Sequence, residues 1–173
     1  MLRVFPGNRA PWRWGLLAGV GMLVAAGCAT RPASRPSIYP ADASPAATIE
    51  AARAEAARTG RRVLLNFGAN WCSDSQAMYR RLTQDPRVEP LVRERYVMVL
   101  VDVGPRGGPG WDSAVVREYG RPFAERGIPA LVVLGEDGRP LIQPGVKPLR
   151  DSDHRRPRRV ARFLEESSRR TAP

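Results

Sequence analysis

Three short apolar runs, separated by segments with helical periodicity, most constrain the fold of this chain. The runs occupy residues 63–67, 96–103 and 128–141. Apolar runs of this length, bounded by Gly, Pro and charged residues, are typical of buried strands. The pair Asp137-Gly138 within the third run predicts a hairpin that joins two strands.

Helical segments precede and follow the first run. Ser44 is a good N-cap, Pro45 suits the first helical position, and Gly60 is a natural residue just past a helix end. The sequence therefore predicts a helix between Ser44 and Gly60. After the first run, Met78 and Leu82 stand four residues apart, as one face of a second helix requires.

Two further helices complete the alternation. WDSAVVREYG predicts a short helix capped by Asp112 and ended by Gly120, and PRRVARFLEESSRR predicts a C-terminal helix with Val160, Phe163 and Leu164 on one face. Strands that alternate with helices favour parallel pairing, and the final hairpin adds an antiparallel pair. We expect an α/β fold with helices on both faces of a small mixed sheet.

The N-terminus has the organisation of an export signal. A basic segment precedes the apolar residues 16–26, which are followed by Gly27 and Cys28. The apolar stretch is shorter than the ~20 residues that span a bilayer. We therefore expect an exported protein, with no nucleic-acid partner.

The sequence VAAGC resembles the lipobox of bacterial lipoproteins. The resemblance implies cleavage before Cys28 and a diacylglycerol on its thiol, which would anchor the protein to a membrane facing the periplasm. Ala29, by resemblance to lipoprotein sorting, favours the outer over the inner membrane. An ordinary signal peptide with an incidental Cys28, or an uncleaved anchor, stays open.

These features divide the chain into three parts. Residues 1–27 form the lipoprotein signal peptide, and residues 28–44 comprise the lipidated cysteine and a flexible tether rich in Pro, Ala and Ser. Residues 45–173 form one domain with a basic C-terminal helix, long enough for a single core.

Cysteine and histidine usage limits the chemistry. With Cys28 lipidated, Cys72 is the only free thiol, which excludes an intramolecular disulfide and is unusual in an oxidising compartment. His154 is the only histidine, and one Cys with one distant His is far short of a metal-ligand set. We expect no metal, no cofactor and a monomeric protein.

The formal net charge is +11, and Lys147 is the only lysine. The arginines concentrate in the C-terminal segment. They fit either contact with anionic lipid headgroups or acidic polymers, or a solvated helix face in an arginine-biased protein. Both interpretations stay open.

Two segments resemble the thioredoxin family: VLLNFGANWCSDSQAM, its strand-to-active-site segment, and YGRPFAERGIPALVVLGEDGRPL, its cis-proline segment. The resemblance runs from about residue 44 to residue 163. It implies a thioredoxin-like three-layer α/β/α sandwich with a small mixed sheet and a cis-proline, Pro129, before the terminal hairpin.

The resemblance also implies the site. Cys72 is the nucleophile, at a helix N-terminus whose free N–H groups and dipole stabilise a thiolate. Trp71 lies beside the sulfur and contributes to substrate binding, and Pro129 lies against Cys72. The backbone of Ile128 pairs with an extended substrate peptide by strand addition.

The chain departs from the family pattern at three positions. Ser75 replaces the resolving cysteine, Asn66 stands in place of a buried Asp, and Met98 stands in place of its lysine partner. Full dithiol exchange needs the second thiol to release the substrate. Any chemistry at Cys72 therefore requires an external thiol.

Two functions remain open. The first is monothiol thiol–disulfide exchange through Cys72, acting on protein thiols and disulfides of the cell envelope. The alternative is a non-catalytic thioredoxin-like module that binds a peptide or protein in the groove beside Pro129, with Cys72 as a small buried residue.

Overall fold

A computed structural model describes residues 37–40, 44–120, 122, 127–141 and 156–169 of the chain. The signal peptide, Cys28, the first part of the tether and His154 lie outside the described residues. Among those described, no helix combines the length and apolar character needed to cross a membrane.

Helices and strands alternate as the sequence predicts, with one additional helix. The elements in chain order are α1 (Pro45–Thr59), β1 (Arg62–Gly68), α2 (Ser73–Gln84), α3 (Glu89–Arg95), β2 (Tyr96–Asp102), a 3₁₀ turn (Pro109–Asp112), α4 (Ala114–Glu118), β3 (Ala130–Val133) and α5 (Pro157–Arg169). Asp85 and Pro86 lie between the end of α2 and the start of α3.

The sheet has the strand order β2-β1-β3 in the described part of the chain. β1 pairs in parallel with β2, and Asn66 lies opposite Leu100. β1 pairs antiparallel with β3, and Phe67 lies opposite Ala130. The mixed sheet is thus confirmed, with β1 at its centre.

The predicted terminal hairpin forms around Asp137-Gly138, but its second strand is minimal. Gly135 donates to the carbonyl of Arg139 at 2.8 Å, and Leu141 donates to the carbonyl of Val133 at 2.8 Å. Within the described residues, strand pairing beyond β3 is limited to a single antiparallel bridge between Leu134 and Pro140.

Apolar side chains form one cluster on each face of the sheet. On one face, Leu65 and Phe67 of β1 pack with buried residues of α1 and α4. On the other face, Leu64 packs with residues of α2, α3 and α5, including Met78 and Val160. The alternation of side chains along β1 thus supplies both cores, and the three-layer α/β/α sandwich is confirmed.

Local chemistry explains the ends of two helices. Gly60 adopts φ 67° after α1, where its N–H donates to the carbonyl of Ala56. The prediction that Asp112 caps α4 is wrong. The cap is Ser113, whose side chain accepts a bond from the N–H of Val116, because the 3₁₀ turn places Asp112 one residue too early.

Candidate active site

Cys72 lies at the junction of β1 and α2. It is the N-cap residue of α2, with extended backbone angles of φ −88° and ψ 113°. Its carbonyl accepts a bond from the N–H of Gln76, and its half-buried side chain packs against the core cluster on the α1 face. The thiol is free. The sequence between Gly68 and Ser73 therefore presents a thiol at the start of a helix of three turns.

The cis-proline segment meets this cysteine. The Ile128–Pro129 peptide bond is cis, as predicted, and both residues are buried. The Cys72 thiol donates a long, weak hydrogen bond to the Ile128 carbonyl, with 3.8 Å between sulfur and oxygen. The structure thus brings together Cys72, Ile128 and Pro129 at the start of β3.

Trp71 forms an exposed flank of the site. Its side chain is 44% exposed, and it is the one large apolar side chain of the described residues to be so exposed. The indole N–H donates to the carbonyl of Gly104 at 2.8 Å. The Arg106 guanidinium lies over the ring, 5.1 Å from its centroid. The loop after β2 therefore holds the indole in place next to the cysteine.

Ser75 and Asn66 lie in the interior beside the first turn of α2. Both residues are fully buried. The Ser75 hydroxyl and the Asn66 amide nitrogen have no hydrogen-bond partner among the described residues. Met98, opposite Leu64 on β2, packs against the core cluster on the α2 face and supplies no charge. The positions where the family carries resolving chemistry are thus uncharged: Ser75 and Asn66 are polar, and Met98 is apolar.

Tyr39 completes this buried group, which sequence reasoning did not foresee. Its hydroxyl lies 3.3 Å from the Asn66 side-chain oxygen and 3.4 Å from the Ser75 carbonyl oxygen, so these two acceptors share its single proton. Burial raises the pKa of Tyr39 well above its ordinary value, although the hydrogen bond to Asn66 opposes the shift. The phenol therefore stays protonated at physiological pH and acts as a donor.

Residues 37–40, which the sequence assigns to the flexible tether, pack against the site. The Asn70 side chain holds them through both of its polar atoms. Its oxygen accepts from the N–H groups of Ile38 and Tyr39, and its nitrogen donates to the Tyr39 carbonyl and the Ser37 hydroxyl. Composition did not indicate that residues 37–40 pack against the site, because Tyr39 stands among Pro, Ser and Ala residues. The available signal was a buried-type aromatic residue in a stretch with little else to bury.

No metal site is evident in the part of the chain that the structure describes, since it contains no group of three or more His, Cys, Asp or Glu side chains able to hold an ion. The described site consists of one thiol, the buried cis peptide Ile128–Pro129, an exposed indole and a buried polar group. A thiol at the N-terminus of α2, facing a cis-proline at the start of a strand in a mixed sheet, defines a thioredoxin-like protein.

Comparison with known proteins agrees with this class. The chain belongs to the thioredoxin-like family, which it matches over residues 44–136. It is similar to the disulphide isomerase from Xylella fastidiosa Temecula1, with 26% identity, a TM-score of 0.62, and coverage of 77% of this chain and 98% of that chain.

Two further solved structures are similar at lower TM-scores. A thioredoxin from Thermus thermophilus is 25% identical, with a TM-score of 0.41, and the match covers 68% of this chain and 79% of that chain. The oxidised C-terminal domain of Neisseria meningitidis DsbD is 25% identical, with a TM-score of 0.44, and the match covers 72% of this chain and 95% of that chain. Comparison with curated proteins finds no match.

Proposed function

We propose that this protein is a monothiol thiol–disulfide exchange protein of the cell envelope, acting through Cys72 with an external thiol as resolver. The observation that carries the proposal is the approach of the Cys72 sulfur to the Ile128 carbonyl, at the N-terminus of α2, with Ser75 at the resolving position. A free thiol beside the cis-proline segment, with no second thiol among the described residues, fits exchange in two intermolecular steps.

The two steps balance without an added oxidant. In the first, the Cys72 thiolate attacks one sulfur of a substrate disulfide, forms a mixed disulfide and releases the other substrate sulfur as a thiolate. In the second, an external thiolate attacks the substrate sulfur of the mixed disulfide and regenerates the Cys72 thiolate. The net result exchanges one disulfide for another, which agrees with the similarity to a disulphide isomerase.

The groove supplies the binding surface for a protein substrate. Ile128 and Pro129 immediately precede β3, so an extended peptide can pair with the backbone there by strand addition. The exposed indole of Trp71 offers an apolar contact on one side of the thiol. We infer that the substrates are protein thiols and disulfides rather than small molecules.

The cellular location is part of the proposal. The signal segment and the VAAGC sequence favour an exported lipoprotein anchored through Cys28 and facing the periplasm, with the outer membrane favoured by Ala29. Mass spectrometry of the protein from a bacterial host that processes lipoproteins tests this proposal. A mature N-terminus at Cys28 with a diacylglyceryl group is expected, and a chain that begins at any other residue would contradict it.

One observation favours a second function, that of a non-catalytic binding module. The Cys72 thiol donates to the backbone carbonyl of Ile128 and packs against the core cluster on the α1 face, as a packing residue would. Neither Asn66 nor Met98 supplies a charge that would promote resolution. In this alternative the groove beside Pro129 holds a partner, and Cys72 contributes only packing.

A trapping experiment separates the two functions. The full chain is incubated with oxidised glutathione, and the mixed disulfide at Cys72 is followed by intact-mass spectrometry, with Cys72→Ser as the control. Exchange predicts a glutathione adduct at Cys72, assigned by peptide mapping because Cys28 is a second cysteine of the chain, and its removal on addition of reduced glutathione. A wild-type thiol that forms no adduct and resists alkylation at neutral pH would establish the binding module.

A further inference from the structure

We propose that residues 37–40 are an integral part of the active site, and that Tyr39 is a positioning residue that sets the reactivity of Cys72. These residues precede the family match, which begins at residue 44. The inference rests on the proposed exchange function, and it assigns that function a structural element outside the thioredoxin-like domain pattern.

The first support is that both polar atoms of the Asn70 side chain bond to residues 37–40. Its oxygen accepts from Ile38 at 2.8 Å and from Tyr39 at 2.9 Å, and its nitrogen donates to the Tyr39 carbonyl at 2.7 Å and to Ser37 at 2.9 Å. Asn70 lies two residues before Cys72. An amide that meets four partners on one segment specifies that segment's position far more tightly than apolar contact does.

The second support is the position of the Tyr39 phenol. The hydroxyl bonds both Asn66 on β1 and the carbonyl of Ser75 in the first turn of α2. Cys72 is therefore flanked in sequence by two residues, Asn70 and Ser75, that bond to the same docked segment. Gln76 closes the arrangement, since its side-chain N–H donates to the Asn70 carbonyl at 2.6 Å.

The third support is the absence of a side chain at Gly68. A β-carbon at this position would lie 2.3 Å from the Tyr39 hydroxyl oxygen and 2.4 Å from the adjacent ring carbon. Contacts this short do not occur, so the glycine is matched to the tyrosine. The strand that leads to the active-site cysteine is thus shaped to receive a residue from outside the family match.

The physical consequence concerns the thiolate. Free N–H groups in the first turn of α2 can stabilise a charge on Cys72 only while that turn is held in place. Tyr39 fixes the turn through the Ser75 carbonyl, and Asn70 fixes the approach to it. Loss of Tyr39 should therefore slow the reaction of Cys72 with an electrophile about two- to fivefold, the range of the interaction between a helix terminus and a charge in its first turn.

The test measures Cys72 alkylation by iodoacetamide in the full chain at neutral and at alkaline pH. Variants are Tyr39→Ala, Tyr39→Phe and Gly68→Ala, with Tyr79→Ala as a control that removes a tyrosine from α2 without touching residues 37–40. We expect the ratio of the neutral to the alkaline rate to fall about two- to fivefold in Tyr39→Ala and Gly68→Ala. Tyr79→Ala should leave it unchanged.

A double variant tests whether Gly68 and Tyr39 act through the same contact. Gly68→Ala should add nothing in the Tyr39→Ala background, because both changes remove the same packed ring. Tyr39→Phe keeps the ring and loses only the hydroxyl, so the ratio of the neutral to the alkaline rate should fall less than in Tyr39→Ala. This variant also serves as the test if Tyr39→Ala does not fold. A fall in stability with an unchanged rate ratio in Tyr39→Phe and in every folded variant would overturn the inference.

Failure of the two proposals can be told apart. If wild-type Cys72 forms no mixed disulfide with glutathione, the exchange function fails and this inference fails with it. If the wild-type protein exchanges normally and the Tyr39 variants match it in both exchange rate and pH ratio, only the positioning role of Tyr39 is overturned.

Discussion

The sulfur of Cys72 and the carbonyl oxygen of Ile128 lie 3.8 Å apart, although 56 positions separate the two residues in sequence. The fold therefore holds the thiol at the start of α2 beside the backbone that precedes β3. In the proposed exchange function, a substrate strand that pairs with the backbone at Ile128 would bring its neighbouring sulfur toward Cys72.

Restoring a second thiol should release the protein from its dependence on an external one. Ser75→Cys places a thiol at the resolving position in the first turn of α2. An intramolecular thiol has an effective concentration in the millimolar range or above. The lifetime of the mixed disulfide at Cys72 should therefore fall by about tenfold or more when the concentration of external thiol is low. Quenched-flow mass spectrometry measures that lifetime.

Ser73→Cys is the matched control, because it adds a thiol at the exposed neighbouring position. It should not accelerate release. A mixed disulfide in Ser75→Cys that persists as long as in the wild type would show that the buried position is closed to exchange.

Asn70→Ala should detach residues 37–40. The variant loses four hydrogen bonds, and at the net value of a typical protein hydrogen bond the cost is about 2–4 kcal/mol of unfolding free energy. Amide hydrogen exchange of Ile38 and Tyr39 should accelerate more than exchange in β1. Urea unfolding measures the free energy of unfolding.

Asn70→Asp serves as the comparison, since a carboxylate keeps acceptors for both amides and loses only the donor. Its free energy of unfolding and its amide hydrogen-exchange rates should lie between those of the wild type and those of Asn70→Ala. Equal effects in the two variants would mean that the amide acceptor bonds contribute little.

The Trp71–Arg106 contact should have a measurable interaction energy. A guanidinium over an indole at a partly exposed site contributes about 0.5–1 kcal/mol. A double-mutant cycle of Trp71→Phe and Arg106→Ala, followed by thermal unfolding, isolates that energy. The same cycle with Arg117→Ala in place of Arg106→Ala should give an interaction energy near zero. Equal interaction energies in the two cycles would contradict the Trp71–Arg106 contact.

Asp85 should make the junction between α2 and α3 sensitive to acid. Burial pushes the pKa of Asp85 upward, but the backbone N–H of Arg87 and the Arg81 guanidinium outweigh it and hold the pKa below its ordinary value. A carboxyl with a lowered folded-state pKa contributes stability that is complete above its unfolded value of about 3.9 and is lost as pH falls through the folded value.

Asp85→Asn should therefore be less stable than the wild type at neutral pH, by about 1 kcal/mol, and the difference should shrink below about pH 4. Urea unfolding across this pH range measures the difference. Glu94→Gln, at an exposed position of α3, is the control, and its difference in stability from the wild type should depend little on pH. A difference between Asp85→Asn and the wild type that is independent of pH would contradict the assigned role.

Local chemistry made most of the fold predictable. Ser44, Pro45 and Gly60 mark both ends of α1 because capping depends on neighbouring residues alone. The meeting of Cys72 with Pro129 followed from the resemblance of two segments to a known family. The cap of α4 was misplaced from Asp112 to Ser113 by one residue, because the 3₁₀ turn before it has no distinctive sequence pattern.

The docking of Tyr39 could not be predicted from periodicity. Composition describes what a segment can bury by itself, whereas Tyr39 is buried by a pocket whose parts come from Asn66, Gly68 and Ser75. Such complementarity between segments distant in sequence is tertiary information. Besides the tyrosine itself, the glycine before the active-site motif is a trace of this docking in the sequence, and it is recognisable only once the tyrosine is in place.

The attachment of residues 37–40 to Asn70 extends the described contacts of the site beyond the family match. These contacts begin at Ser37, seven residues before the match at residue 44. A protein shortened to the family match would therefore lack the segment that packs beside Cys72.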